Sequence, residues 1–492
     1  MHAGVAQNYT ARIVDFESGE SLPNAGVQIN GTENIISNAE GYFTIPEKNS
    51  DDATVLTISF LGYNSVNITV GELRNNQFVI KLKPGIFELE TVNVSNSNFN
   101  NDPDSIMAAV KRNLARNYKS TDKPLKNMIF YREGTAFRPV KLKAQMTEST
   151  GFRKKELKAT NDELNLFANK LVSHPPQEFT DMLCNYYTTQ KTVNNKPVTV
   201  SKYDVVKAVK LKDKNRAVAL KELQEKASGI MFKHIDTTKN YRVKSGLFGT
   251  RDTVLYGNSF ERKKEKVKKS ALSSAKSSIR SFLTNGNFLQ NSSLDFVTKH
   301  GLYEYSYEGA IQSDGEWVYI IKFTPRKRMA KYAGTLYVSE KDYAIVRADY
   351  TLGEGKTLGG VNLKFVLGVK QSENVSRGTL IFKRTEDEQG YYLQYGSRET
   401  GSYIYINRPL KFIEIGEGKK DEVAFDIKVE ANMVDKQEYF VISRSEISES
   451  EYDKAEESEF EYIHLDSYDP NIWREYSAIE PLQEMKQFRS IE

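Results

Sequence analysis

Apolar and polar residues alternate in short bursts over the first ninety residues, and turn residues cut the bursts at roughly ten-residue intervals. The bursts are YTARIVD (9–15), AGVQIN (25–30), GYFTI (41–45), TVLTISF (54–60), NSVNITV (64–70) and QFVIKL (77–82). Between them stand ESGE, NGTEN, NAEG, KNSDD and LGYN. A period of two sends every second side chain to the same face, so each burst buries one side only. Short strands at this spacing fold most economically as a small antiparallel sandwich.

The stretch NAEGYFTIPE (38–47) carries the turn logic of that sandwich. Gly41 follows Asn38 and Glu40 at a tight turn, where a residue without Cβ takes positive φ at no steric cost. Tyr42 and Phe43 then point to opposite faces, one of them into the core. Gly62 and Tyr63 in FLGY repeat the device. A calcium loop needs several carboxylates at alternating positions, whereas this stretch offers Glu40, so no calcium is expected.

The run ARIVDFESGESLPNAGVQINGTENIISNAEGYFTIP, followed by ISFLGYNSVNITV, resembles the carboxypeptidase-like regulatory domain. The resemblance spans residues 8–95. It implies a transthyretin-like sandwich of seven strands, a module common at the N-termini of bacterial TonB-dependent receptors and related envelope proteins. It implies an accessory role and none of the carboxypeptidase chemistry. A zinc carboxypeptidase needs His and Glu ligands at close spacing. None of His2, His174, His234, His300 and His464 has a Glu three residues on.

Beyond a polar linker at 96–104, DPDSIMAAVKRNLARNY (102–118) reads as a helix. Asp102 is its cap, Pro103 suits the first turn, and Ile106, Val110 and Leu114 share a face. LKNMIFYRE (125–133) reads as a strand. Residues 160–290 are mixed, with helices expected at 161–172, 215–228 and 270–283. The last should bury Leu272, Ala275, Ile279 and Leu283. From residue 301 the pattern is a long antiparallel meander, from LYEYSYEGAI through EVAFDIKVEANMV. The order helix, FYRE, helical insert, then YEYSYEG, VYIIKFTPRK and YAGTLYVSEKDYAIVRADY, with DPNIWREYSAIEP (469–481) at the close, resembles a family of uncharacterised bacterial envelope proteins. The meander is also similar to the half-barrels that carry lipoproteins to the outer membrane.

The fold class expected is therefore mainly β with α: a seven-stranded sandwich over 8–95, then an α+β domain over 105–445 on a large curved antiparallel sheet. An acidic segment closes the chain at 446–492. GVA before Gln7 reads as the end of a cleaved export signal, leaving 1–7 as a residual segment and implying a periplasmic protein near the outer membrane. The longest apolar runs, such as VYIIKF (318–323), are too short for a membrane-spanning helix. Cys184 allows no internal disulfide and reads as a small core residue.

GEGKT (353–357) fails as a phosphate loop, because Tyr350 stands where the first Gly should be and a turn and strand follow. No G-x-S-x-G elbow occurs. Charge is unevenly spread. Residues 201–280 hold 21 Lys or Arg against 8 Asp or Glu, peaking at Arg262, Lys263, Lys264, Lys266, Lys268 and Lys269. Residues 446–480 hold 12 acidic residues against 2 basic ones. The basic stretch is a solvated face, a surface for anionic lipid or an acidic partner, or a region covered by the acidic tail. No nucleic-acid motif accompanies it.

The alternating tyrosines of YEYSYEG, with their neighbours, either pack under the helices or line an apolar groove. The groove would comprise Tyr303, Tyr305, Tyr307, Tyr319, Phe323 and Tyr337. No catalytic residue, metal or cofactor is expected. The function expected is that of a non-enzymatic accessory protein that binds an outer-membrane protein or assists envelope assembly. The alternatives are a carrier of a lipid or lipoprotein acyl chain in a half-barrel groove, and an envelope hydrolase of unknown type.

Overall fold

The computed structural model describes residues 9–85, 87–88, 101–151, 153–213, 225–226, 229–230, 240–245, 248–254, 270–290, 294–313, 315–416 and 420–490. The first seven strands are β1 (Tyr9–Asp15), β2 (Gly26–Ile29), β3 (Glu33–Ile36), β4 (Tyr42–Ile45), β5 (Val55–Ser59), β6 (Val66–Thr69) and β7 (Val79–Leu82). They form two sheets, ordered β4-β1-β7 and β3-β2-β5-β6, with β1 and β7 parallel. Their inward residues, among them Ile13, Val27, Phe43, Leu56 and Leu82, make one core. The strand expected over 64–70 stops at Thr69, which caps the short helix α1 (Val70–Asn75) in a capping box with Glu72.

A third, larger sheet holds fifteen strands among the described residues. Its edge strand β8 (Phe87–Glu88) leaves the sandwich and pairs with β14 (Tyr303–Ser313). Helix α2 (Pro103–Asn117) is capped by Asp102 through Ser105 N, as the sequence indicated. The strand expected over 125–133 runs on as β9 (Leu125–Ser149), 25 residues long. Helix α3 (Lys154–Ser173) follows, with the amide of Asn161 bonded to both backbone N and O of Met146. Next comes a hairpin the sequence reading missed, β10 (Gln177–Val193) with β11 (Lys196–Lys212). Asn194 and Asn195, both at positive φ, make its two-residue turn.

The strands β12 (Tyr241–Ser245) and β13 (Phe248–Val254) precede helix α4 (Ala271–Asn285). That helix buries Leu272, Ala275 and Ile279 as expected, but Phe282 in place of Leu283. The helix expected over 215–228 lies outside the described residues except for Glu225 and Lys226, as does the whole basic run from Arg262 to Lys269.

The meander continues from β14 through β15 (Glu316–Pro325), β16 (Tyr332–Ser339) and β17 (Ile345–Leu352). The single strand expected in NLKFVLGVKQ is instead a hairpin, β18 (Gly360–Leu363) with β19 (Val369–Arg384), because Gly368 takes φ +65°. The last long strands are β20 (Tyr391–Glu414) and β21 (Glu422–Glu446). β21 pairs with β9, so the end of the meander returns to its beginning. Then β22 (Ile463–Leu465) lies parallel to β11 at the far edge.

The register divides the sheet into two faces. Ile129, Tyr131, Cys184 and Tyr439 face helix α4. Tyr303, Tyr305, Tyr319, Ile321 and Phe323 face helix α2 and the segment around Phe296. On the opposite face, Ile320, Tyr337, Arg347, Ile381, Tyr395, Phe440, Phe130 and Leu183 form an unbroken cross-strand row over eight strands. The sandwich and the C-terminal segment lie on this row, with Ile36, Trp473 and Ile479 packed against Phe130 and Phe440.

This arrangement corrects the groove reading. Tyr303, Tyr305, Tyr319 and Phe323 are buried in a filled core, and Phe296 stacks on Phe323 at 4.4 Å. Tyr303 donates its hydroxyl to Asp295 and Tyr305 to Phe296 O, so the polar ends are satisfied inside. Tyr307 is half-buried at the rim, edge-on to Tyr319. Tyr337 stands on the other face, under Arg347, which also lies over Phe60 of the sandwich.

Candidate functional site

The most elaborate polar site among the described residues lies where sandwich, sheet and C-terminal segment meet. It begins with two cross-strand neighbours, Arg132 on β9 and Asp181 on β10. Both side chains are almost wholly buried, and the pairing is bidentate: Nε to Oδ1 at 2.7 Å and Nη2 to Oδ2 at 2.8 Å. Burial by itself would lower the guanidinium pKa, but the Asp181 carboxylate and its hydrogen bonds more than offset that and raise it. Arg132 also donates to the carbonyls of Ile479 (3.0 Å) and Glu480 (3.5 Å). One planar donor set therefore holds Asp181 in a bidentate fork and also joins the sheet to the tail.

Glu480 continues the chain of contacts. Its Oε1 meets Lys486 at 2.6 Å and its Oε2 accepts from Thr44 Oγ1 at 2.5 Å. Thr44 is an outward residue of β4, so the tail reaches the sandwich here. The stretch 38–47 presents a series of such contacts. Asn38 Nδ2 donates to Pro481 O, Gln483 N donates to Glu40 Oε1, and Arg474 is paired with Glu47. Ser477 donates to Glu33 at 2.6 Å. Trp473 stands edge-on to Phe130 at 5.3 Å, with Lys207 over its ring.

Gly41 takes φ +79°, and a Cβ there would sit 2.8 Å from Ile13 O. Asn38 Oδ1 accepts from the backbone N–H groups of Glu40 and Tyr42, which closes the turn. Phe43 is fully buried, while the ring of Tyr42 lies outside with Arg12 and Lys486 over it. Gly62 takes φ +87° and lies against Ile311 of the large sheet. The hydroxyl of Tyr63 is pushed up to about 12 by burial and by its hydrogen bond to Asp15. Of the turn residues named from the sequence, Tyr42 meets the tail and Gly62 the large sheet, whereas Gly41 and Phe43 pack within the sandwich itself. The docking role of Glu33, Thr44 and Glu47 was missed, because an outward polar residue on a sandwich strand normally meets water. The available signal was Trp473 in an otherwise acidic tail.

The tail also meets part of the basic region. Lys202 donates to three tail carbonyls, those of Tyr452, Asp453 and Ala455, and Lys207 to that of Ile472. Lys276 pairs with Glu457 at 2.7 Å. Beside it, a cleft of about 740 Å³ opens between α4 and the strands β9 to β11. On its floor Tyr131 donates to Glu133 at 2.8 Å, and Gln437 donates to both. Burial and the Glu133 charge raise the Tyr131 pKa, so the phenol stays neutral. Glu178 in the same cleft is held by Lys210 and Lys212. These groups are committed to one another.

Among the described residues no group of three His, Cys, Asp or Glu side chains is placed to hold a metal ion. No described helix is long and apolar enough to cross a membrane.

Residues 10–94 match the CarboxypepD_reg-like domain, and residues 258–383 match a family of unknown function, DUF5686. No curated protein matches the chain. Solved structures with a distant likeness include a DUF1329 family protein from Desulfovibrio piger ATCC 29098, at 10% identity over 67% of this chain and 92% of that one, with a TM-score of 0.17. The Pseudomonas aeruginosa MucA/MucB complex gives 6% identity, 66% and 94% coverage, and 0.16. A protein of unknown function from Bacteroides fragilis NCTC 9343, whose description suggests membrane association, gives 10%, 41% and 96%, and 0.12. At such TM-scores these likenesses carry no argument about fold or function.

Proposed function

We propose that the protein is a non-enzymatic binding protein of the bacterial cell envelope, exported to the periplasm, where it holds an outer-membrane protein partner or assists its assembly. The observation that carries the reading is where the buried charges go. Arg132, Asp181 and Glu480 are spent on joining tail, sheet and sandwich into one body. A body built this way is a rigid platform, which suits recognition of a partner more than turnover of a substrate. The envelope setting is supported by the resemblance of residues 8–95 to a module of envelope receptors and by the family match over residues 10–94.

Fractionation of the producing bacterium, then crosslinking and affinity purification of the full-length protein, tests this. Recovery with the periplasm or outer membrane, together with a stoichiometric outer-membrane protein, is the expected result. Recovery in the cytosol overturns it. So does turnover of a peptide, ester or glycoside that one point substitution abolishes.

A further inference from the structure

The sandwich and tail cover only part of their face of the large sheet. Beyond Arg138, which pairs with Glu484 of the tail, the same face continues along the outer halves of β9, β21, β20 and β19. The register identifies what it carries. Lys370 lies opposite Tyr405, Tyr405 opposite Glu430, and Glu430 opposite Lys141. In the next row Asn407 lies opposite Lys428, and Lys428 opposite Lys143. Lys141 and Lys143 are exposed, while Leu142 between them turns inward against the helix side. On β12, which pairs with β20, Lys244 adds another exposed cation on this face. The acidic residues here are Asp426, Glu430, Glu148 and Glu422; Glu430 is taken up by the hydroxyl of Tyr403 at 2.7 Å, and Glu148 and Glu422 both pair with Lys411. The face spans five strands with β18 included, roughly 19 Å.

The edge of this face bears an unusual feature. Phe365, in the β18–β19 turn, is 99% exposed. Lys364 beside it lies over the ring of Tyr405 at 4.4 Å, and Lys370 over that of Tyr403 at 5.5 Å. The two ammonium groups thus sit on aromatic rings as cation–π pairs, which holds positive charge at this edge of the face.

We infer that this face docks on an anionic lipid leaflet, with Phe365 inserted at the headgroup boundary and the lysines against the headgroups. Charge complementarity selects an anionic surface. The exposed ring selects lipid over an acidic protein: Phe365 protrudes and needs a partner that deforms around it, which acyl chains do and a folded surface does not. The inference goes beyond the partner-holding reading, and its failure would leave the fractionation result untouched.

Co-sedimentation of the full chain with vesicles tests it, using phosphatidylcholine vesicles with and without phosphatidylglycerol. Binding to the anionic vesicles, weakening as salt rises, is expected. Phe365→Ser should weaken it by about tenfold or more, and Lys141→Glu with Lys143→Glu by roughly tenfold or more. All three positions are exposed, so the fold should survive. An NBD label on Phe365→Cys, with Cys184 buried, should shift to the blue on binding. Equal binding to neutral vesicles, or no binding to either kind, overturns the inference. Unchanged binding by both variants places the contact elsewhere and overturns it too. Equally tight binding to polyglutamate without a blue shift would mean an acidic polypeptide instead.

Discussion

The helix face of the large sheet and the part of the opposite face that lies under the sandwich and tail are covered by different chemistry. The helix face is a continuous apolar core, where Phe296, Phe323 and the tyrosines pack around α2. The sandwich face mixes apolar anchors such as Trp473 and Phe130 with a buried ion pair, capped carbonyls and side-chain hydrogen bonds. The first resembles the interior of a single folding unit and the second a contact between units, which is typically more polar. The difference teaches that the sandwich and tail are docked onto a sheet whose own stability comes from its helix side. Substitutions on the helix face should therefore unfold the large domain, and those on the sandwich face should release parts from it.

Phe323→Ala on the helix face should have the largest effect. It removes a fully buried ring stacked on Phe296 and should cost about 3–5 kcal/mol. Chemical denaturation should show one loss of stability for the large sheet. Undisturbed stability would mean that the helices contribute little to it. Arg132→Ala should come next, at about 3 kcal/mol, because it leaves Asp181 buried without its cation. The tail should then become sensitive to protease while the strands keep their hydrogen-exchange protection. Protease resistance equal to wild type would break the comparison between the faces.

Much of the fold was legible for reasons that these contacts make plain. The sandwich could be read because each strand buries one side and its turns use Gly41 and Gly62 at positive φ. Helix α2 could be read because Asp102, Pro103 and an apolar stripe coincide. The β10–β11 hairpin was hidden because its strands carry many Lys and Thr residues, and its turn is Asn-Asn without the usual Gly. The seam was hidden for a different reason. Glu33 and Ser477 stand far apart in sequence, and nothing local to either marks it as a contact. Arg132 likewise reads as an exposed strand residue until the register puts it beside Asp181.

Gly41→Val separates folding of the sandwich from its docking. The left-handed backbone and the close Ile13 carbonyl should together cost about 1–3 kcal/mol. The loss should appear in the sandwich transition, with the large sheet unaffected. A matching loss in the large sheet would mean that the two units fold as one. Asn38→Ala should show the same pattern more weakly, since it opens the turn and removes the bond to Pro481 O.

The smallest expected effect concerns the seam and acid. Burial pushes the Glu33 carboxyl upward, but the Ser477 hydroxyl and Lys48 more than offset that, so its pKa lies below the ordinary 4.5. A depressed carboxylate stabilises the fold above its unfolded pKa, and that contribution is lost as the pH falls through the folded value. The grip of the tail on the sandwich should thus hold above pH 4.5 and weaken below it. Glu33 shares the seam with the carboxyl groups of Glu40, Glu47 and Glu480. Ser477→Ala isolates Glu33 among them. It removes a single hydrogen bond, worth about 1 kcal/mol, and takes away the largest of the contacts that lower Glu33. Hydrogen exchange in residues 473–481 followed against pH should show loss of protection beginning at higher pH in the variant than in the wild type. Superimposable profiles would mean that Glu33 is not part of what holds the tail, and that the seam rests on Arg132 and the packing of Trp473.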